Sequence, residues 1–89
     1  MAEVHIPPRY RGPTNGVSQI DVDGRTVREC IEAVEARYPG FLELVFDKHG
    51  KVRLHARVFL NGDDLGREAA EATVDSGDRV EILAAVAGG

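Results

Sequence analysis

The sequence predicts an α+β domain: a small sheet with one helix packed on one of its faces. Three observations predict it. Several short segments alternate apolar and polar residues with period two, one segment carries an apolar stripe at helical spacing, and turn residues separate them closely. At 89 residues the chain suffices for one domain. Such a domain has a radius of gyration of roughly 12 Å and leaves no room for a deep cleft between two lobes.

The elements follow in order. Val4 and Ile6 alternate with Glu3 and His5, a half-buried first strand. Pro7 to Gly16 holds three prolines, two glycines and Asn15-Gly16, so it reads as a loop or a wide hairpin turn. Ile20 and Val22 alternate with Gln19, Asp21 and Asp23 in a second strand closed by Gly24. Thr26-Val27-Arg28-Glu29 has the pattern of a capping box, in which the Thr26 hydroxyl accepts from the Glu29 amide and Glu29 reaches back to the Thr26 amide. Val27, Cys30, Ile31, Val34 and Tyr38 then form one apolar stripe opposite Arg28, Glu32, Glu35 and Arg37, and Pro39-Gly40 stops the helix.

Phe41, Leu42, Leu44, Val45 and Phe46 are a dense apolar run, read as a short helical turn under the sheet or, alternatively, as a strand. Asp47 to Lys51 is a turn. Leu54, Ala56, Val58 and Leu60 alternate with His55, Arg57 and Phe59 in a third strand that ends at Asn61-Gly62. Glu68 to Ala72 reads as a helical turn. Asp75 to Asp78 is a tight turn into the last strand, where Val80 and Ile82 alternate with Glu81 and Leu83. Residues 1–83 are thus assigned to the domain and 84–89 to a flexible tail.

Composition excludes several classes of function. Eleven basic residues against fifteen acidic ones give a net charge of −4. That lacks the basic surplus of a nucleic-acid footprint and disfavours anionic membrane. No apolar run reaches the length of a bilayer span. One cysteine and three scattered histidines supply neither a disulfide framework nor the spacing of a structural zinc site, so no metal site is expected. Without a signal-peptide pattern at the N-terminus, the expected compartment is the reducing cytosol.

The tail Ala84-Ala85-Val86-Ala87-Gly88-Gly89 is uncharged, small and ends on two glycines. Chance produces that ending in roughly 0.5% of chains, given glycine at about 7%. A frayed end is the plain alternative, but a solvated tail normally carries polar residues. Six extended residues reach about 20 Å, enough to carry a carboxylate into another protein's active site. Gly88 and Gly89 have no Cβ and can thread a narrow channel. A carboxylate is a poor electrophile. ATP can activate it as an acyl-adenylate, after which a sulfur donor gives a thiocarboxylate, or a thiol and then a lysine amine give an isopeptide.

Val58-Phe59-Leu60-Asn61-Gly62-Asp63-Asp64, Asp75-Ser76-Gly77-Asp78-Arg79-Val80-Glu81-Ile82-Leu83 and the Gly-Gly ending together resemble a known group. They are similar to the bacterial ubiquitin-like sulfur carriers of the β-grasp fold, which include the small subunit of molybdopterin synthase and the thiamin sulfur carrier. Ala85-Val86-Ala87-Gly88-Gly89 is similar to the ending of actinobacterial carriers that feed cysteine biosynthesis. One departure is Ala84, where the family usually has proline. The resemblance implies a mixed sheet of four to five strands, one main helix on one face, and a protruding tail.

It also implies the chemistry. A ubiquitin-activating-type enzyme adenylates Gly89 with Mg-ATP, and a sulfur donor (a rhodanese, a cysteine desulfurase or sulfide) converts the adenylate to a thiocarboxylate. An acceptor synthase, such as a cysteine synthase or a thiosugar or cofactor synthase, then takes the sulfur. ATP, Mg²⁺ and any pyridoxal phosphate belong to those partners, and the chain itself is a protein cosubstrate that binds no cofactor. Gly88, Val86 and Ala87 enter the partner with Gly89.

The remaining candidates are weighed individually. Cys30 lies on the apolar stripe and reads as a small core residue. His5 and His55 take polar-facing strand positions and His49 a turn, all surface roles, and no nucleophile stands beside a base. Phe59 and Leu83 face away from the helix. On neighbouring strands of a β-grasp sheet they form either an apolar patch at the root of the tail or two separate surface hydrophobes. Arg57 and Glu81 flank them and can orient a partner. The function expected is sulfur carriage. A ubiquitin-like modifier conjugated to lysines and a non-catalytic interaction domain are the alternatives.

Overall fold

A computed structural model of the chain describes residues 1–84. Its strands are β1 (Ala2–His5), β2 (Gln19–Val22), β3 (Ala56–Leu60), β4 (Asp63–Asp64) and β5 (Arg79–Ala84), and its helices are α1 (Val27–Arg37) and α2 (Leu42–Val45). The five strands form one mixed sheet in the order β2-β1-β5-β3-β4. β1 and β5 run parallel at its centre, and every other pair is antiparallel.

The alternation predicted from sequence sets the two faces. Val4, Ile20, Val22, Ala56, Val58, Val80 and Ile82 are buried on one face, against Val27, Cys30, Ile31 and Val34 of α1. The apolar run after Pro39 is the short helix α2, which adds Phe41, Val45 and Phe46 to the same core. Tyr38 ends the α1 stripe half-buried.

Both ends of α1 are fixed by side chains. The Thr26 hydroxyl accepts from the Glu29 N–H at 3.1 Å, as the capping pattern predicts. The return arm differs from the expectation: the Glu29 carboxylate accepts from the Arg25 N–H at 2.8 Å, not from Thr26. Thr26 is bridged to Thr73, with the Val27 N–H on the Ala72 carbonyl and the Val74 N–H on the Arg25 carbonyl. That pairing holds Thr26 extended and brings the Arg25 amide within reach instead. At the other end Glu35 accepts from the N–H groups of Gly40 at 3.1 Å and Leu42 at 2.8 Å, bracing the α1–α2 corner. Gly40 has φ +106°, a conformation that favours glycine. Glu35→Ala leaves those amides without their acceptor and is expected to cost about 1–2 kcal/mol, read as a lower urea midpoint at unchanged slope.

Two details of the third strand depart from the sequence reading. β3 starts at Ala56, and Leu54 lies outside it, 78% exposed, with His55 beside it in a turn. Val52 bridges Phe46, and the Ala56 N–H then closes a turn onto the Arg53 carbonyl at 3.1 Å, which interrupts the alternation. Asn61-Gly62 also does more than end the strand. With φ +50° and +91° it is the two-residue loop of a hairpin pairing Phe59 with Asp64 and Leu60 with Asp63.

Candidate functional site

The site begins where the tail begins. β5 continues through Ala84, which pairs with Ala56 at the start of β3. The assignments made on Val86, Ala87, Gly88 and Gly89 lie outside the described residues.

The other four candidates share the face of the sheet opposite α1. Across β3 and β5, Arg57 pairs with Leu83 and Phe59 with Glu81, so Phe59 and Leu83 are diagonal neighbours. Leu83 is 47% exposed, whereas Phe59 is half-buried. The sheet therefore brings the two together, with Leu83 as the more accessible member.

Charged side chains frame this small apolar surface. Arg57 donates to Asp64 at 3.0 Å, Arg79 pairs with Glu81 at 3.2 Å, and His5 meets Glu3 at 3.0 Å. Surface pairs of this kind contribute little to stability. In general, alternating charges around an apolar centre favour one docking register. The Asp64 carboxyl is held below the usual carboxylate range chiefly by the Gly66 N–H, against some desolvation, and then by Arg57.

A second carboxylate network fixes the entry to β5. Asp78 accepts from the Asp75 N–H at 2.8 Å and from the Asn61 side-chain amide at 3.0 Å, while Asn61 accepts from the Arg79 N–H at 2.9 Å. The Asp75 amide and then Asn61 lower the Asp78 carboxyl. The Lys51 and His49 amides do the same for Asp47. Since all three carboxyls lie lower in the folded chain, the stability they add is complete above the unfolded value of about 3.9. It is lost as pH falls through the folded values. Thermal melting followed by circular dichroism is therefore expected to drop below about pH 4, and Asp78→Asn to lower stability at neutral pH and flatten that acid limb.

Cys30 is completely buried in the core. Burial, with Glu29 and Asp78 adding to it, pushes its thiol pKa up, which leaves little reactive thiolate. His49 is in a turn as expected, and His55 has moved from the strand into one, where its carbonyl accepts from the Tyr10 hydroxyl at 3.1 Å. Among the described residues no three His, Cys, Asp or Glu side chains gather as a metal site, and no helix is long and apolar enough to cross a membrane. Sequence reading missed Arg53, Leu54 and Arg67, which line a hollow with Arg57 and Asp64 on the β3 side of the tail's root. Its signal was available: residues 48–67 concentrate basic side chains in an acidic chain.

Comparison with known proteins places this geometry. A chain of the BexX/CysO complex from Amycolatopsis orientalis is 36% identical, with 100% of each chain covered and a TM-score of 0.87. The Mycobacterium tuberculosis antigen CysO is 31% identical over 97% of this chain and 100% of its own, with a TM-score of 0.84. SAMP1 from Haloferax volcanii, 24% identical over 99% and 98% of the two chains with a TM-score of 0.74, shares the fold. None of the curated proteins compared with the sequence matches it. The ThiS family matches residues 9–89, from the first loop through the last strand and the diglycine. By that match and by its five-stranded sheet on a single main helix, the chain belongs to the ThiS family of ubiquitin-like β-grasp proteins.

Proposed function

We propose that this protein is a sulfur carrier whose Gly89 carboxylate is adenylated by a partner enzyme and converted to a thiocarboxylate. The observation that carries this reading is the family match running through Gly88-Gly89, in a chain similar over its whole length to CysO. The chain acts as a protein cosubstrate. Its sheet presents the tail, and the catalytic groups and cofactors, Mg-ATP and pyridoxal phosphate among them, reside on other proteins.

The balance of the chemistry is simple. The carboxylate oxygen attacks the α-phosphorus of ATP and pyrophosphate leaves, giving an acyl-adenylate. Sulfide, or the sulfur of a persulfide donor, attacks the acyl carbon and AMP leaves. With a persulfide, a thiol reductant then cleaves the S–S bond and frees the thiocarboxylate. The thiocarboxylate sulfur is the nucleophile toward the acceptor, for which cysteine biosynthesis is the first choice given the likeness to CysO. A solved complex of CysO with BexX supports an acceptor that docks directly on a carrier of this kind.

The test is mass spectrometry of the protein isolated from its native host. The expected species has one oxygen of the Gly89 carboxylate replaced by sulfur. Oxidation of Met1 or Cys30 adds nearly the same mass, so the gain must map to Gly89 and respond to a thiocarboxylate-directed alkylating reagent. An unmodified carboxylate after incubation with ATP, sulfide and the host's adenylating enzymes overturns the reading.

A further inference from the structure

The charge of this protein is unevenly placed. Residues 48–67 hold five of its eleven lysines and arginines but two of its fifteen acidic residues. This is a local surplus of three positive charges in a chain of net charge −4. The fold gathers part of that surplus at one place. Arg53, Arg57 and Arg67 line a hollow of about 230 Å³ with Asp64 as its one acidic residue. Leu54 stands in the same lining, 78% exposed.

Among the described residues the arginines keep donors without a partner. Arg57 uses Nη1 on Asp64, and Arg53 uses Nε on the Glu43 carbonyl at 2.6 Å. Arg67 is 62% exposed, and its ion-pair contact is a long one, 3.8 Å to Asp47. Arginine is enriched at protein interfaces and pairs with carboxylates, and the exposed Leu54 adds an apolar contact among these three. Position adds to this. Ala56, in the same lining, pairs with Ala84, so the hollow lies beside the last described residue of β5.

We infer that this arginine-lined hollow is a docking surface for an acidic segment of the protein that receives the tail. The inference rests on the carrier reading for the identity of the partner, and on charge complementarity and the place of the hollow for the surface itself. Contact here holds the root of the tail against the partner and aligns the strand that leads into it. The acidic partner surface also steers the encounter, since the rest of this chain is repelled by it.

The test replaces Leu54 with a photo-crosslinking residue, Leu54→p-benzoylphenylalanine, in the full chain expressed in its native host. Irradiation is expected to give a discrete adduct whose crosslinked peptide, sequenced by mass spectrometry, belongs to a second protein and is rich in Asp and Glu. Arg53→Glu with Arg67→Glu is expected to cut the adduct yield by about tenfold or more, as reversal of close interfacial charges does. Arg67→Glu alone, which disturbs no short contact, is expected to cut it several-fold. The control pair Arg9→Glu with Arg25→Glu makes the same change in net charge elsewhere and is expected to leave the yield unchanged.

Absence of an adduct overturns the inference. So does an adduct of two copies of this chain, a crosslink to nucleic acid, a crosslinked peptide without acidic surplus, or equal losses in the test and control pairs. Measuring Gly89 in the same cells separates the two readings. A loaded Gly89 without an adduct overturns the docking surface alone, and a charge-dependent adduct with Gly89 never modified overturns the carrier reading alone.

Discussion

Deleting Gly88 and Gly89 is expected to abolish thiocarboxylate formation while leaving the fold unchanged. The shortened chain still ends in a carboxylate, that of Ala87, so the functional group survives and only its reach is lost. Two extended residues span about 7 Å. A misplacement of 1 Å from attack geometry can cost about a hundredfold, so a retraction of this size puts the carboxylate out of play. Gly88→Val keeps the length and adds a branched side chain to a tail that the proposed function threads into a partner; about a hundredfold loss in the rate of thiocarboxylation is expected. Melting of both variants should stay near that of the parent, within about 0.5 kcal/mol, because neither change removes a side chain from the core. Sulfur transfer by the deleted chain would show that Gly89 is not the carrier. If deletion instead removes a ladder of higher-mass conjugates, the protein is a modifier of lysines.

The largest effect on stability is expected from Phe41→Ala, about 3–5 kcal/mol. A domain of this size has roughly 4–13 kcal/mol in total, so this one change consumes a large share of it. Phe41 is completely buried at the corner where α1 gives way to α2, and its carbonyl accepts from the Leu44 N–H at 3.0 Å. Removing the ring leaves a cavity in the core cluster to which Phe41 belongs, and close-packed surroundings relax into such a cavity only in part. Leu54→Ala is the internal comparison: the same class of residue, exposed, with an expected change near zero. Urea midpoints for the two variants decide the matter, and similar values would show that Phe41 is not the anchor described.

Local chemistry was legible where it depends on a few consecutive residues. The Thr26 cap, the stripe from Val27 to Val34 and the glycine at 40 each follow from backbone geometry over one turn, and the structure has all three. The hairpin at Asn61-Gly62 was equally legible, since two left-handed residues in succession suit a two-residue loop, but Asp63 and Asp64 carry no apolar alternation to mark the returning strand. The end of the Glu29 arm was not legible. Which amide it takes is decided by the bridge between Thr26 and Thr73, residues 47 positions apart.

The sequence by itself determined the α+β class, the order of the main elements and the core residues of β1, β2, α1 and β5. Those follow from periodicity, capping and turn chemistry, all of which act between near neighbours. It also singled out the diglycine, a feature of composition rather than of folding. Only the tertiary structure decided what lies beside the tail's root. Strand register put Leu83 against Arg57 and diagonal to Phe59. A turn at Arg53 pushed Leu54 out of its strand, and the Val52 N–H on the Arg67 carbonyl drew the 64–67 loop alongside. These placements depend on pairings between distant segments, where one residue of slip turns every side chain to the opposite face.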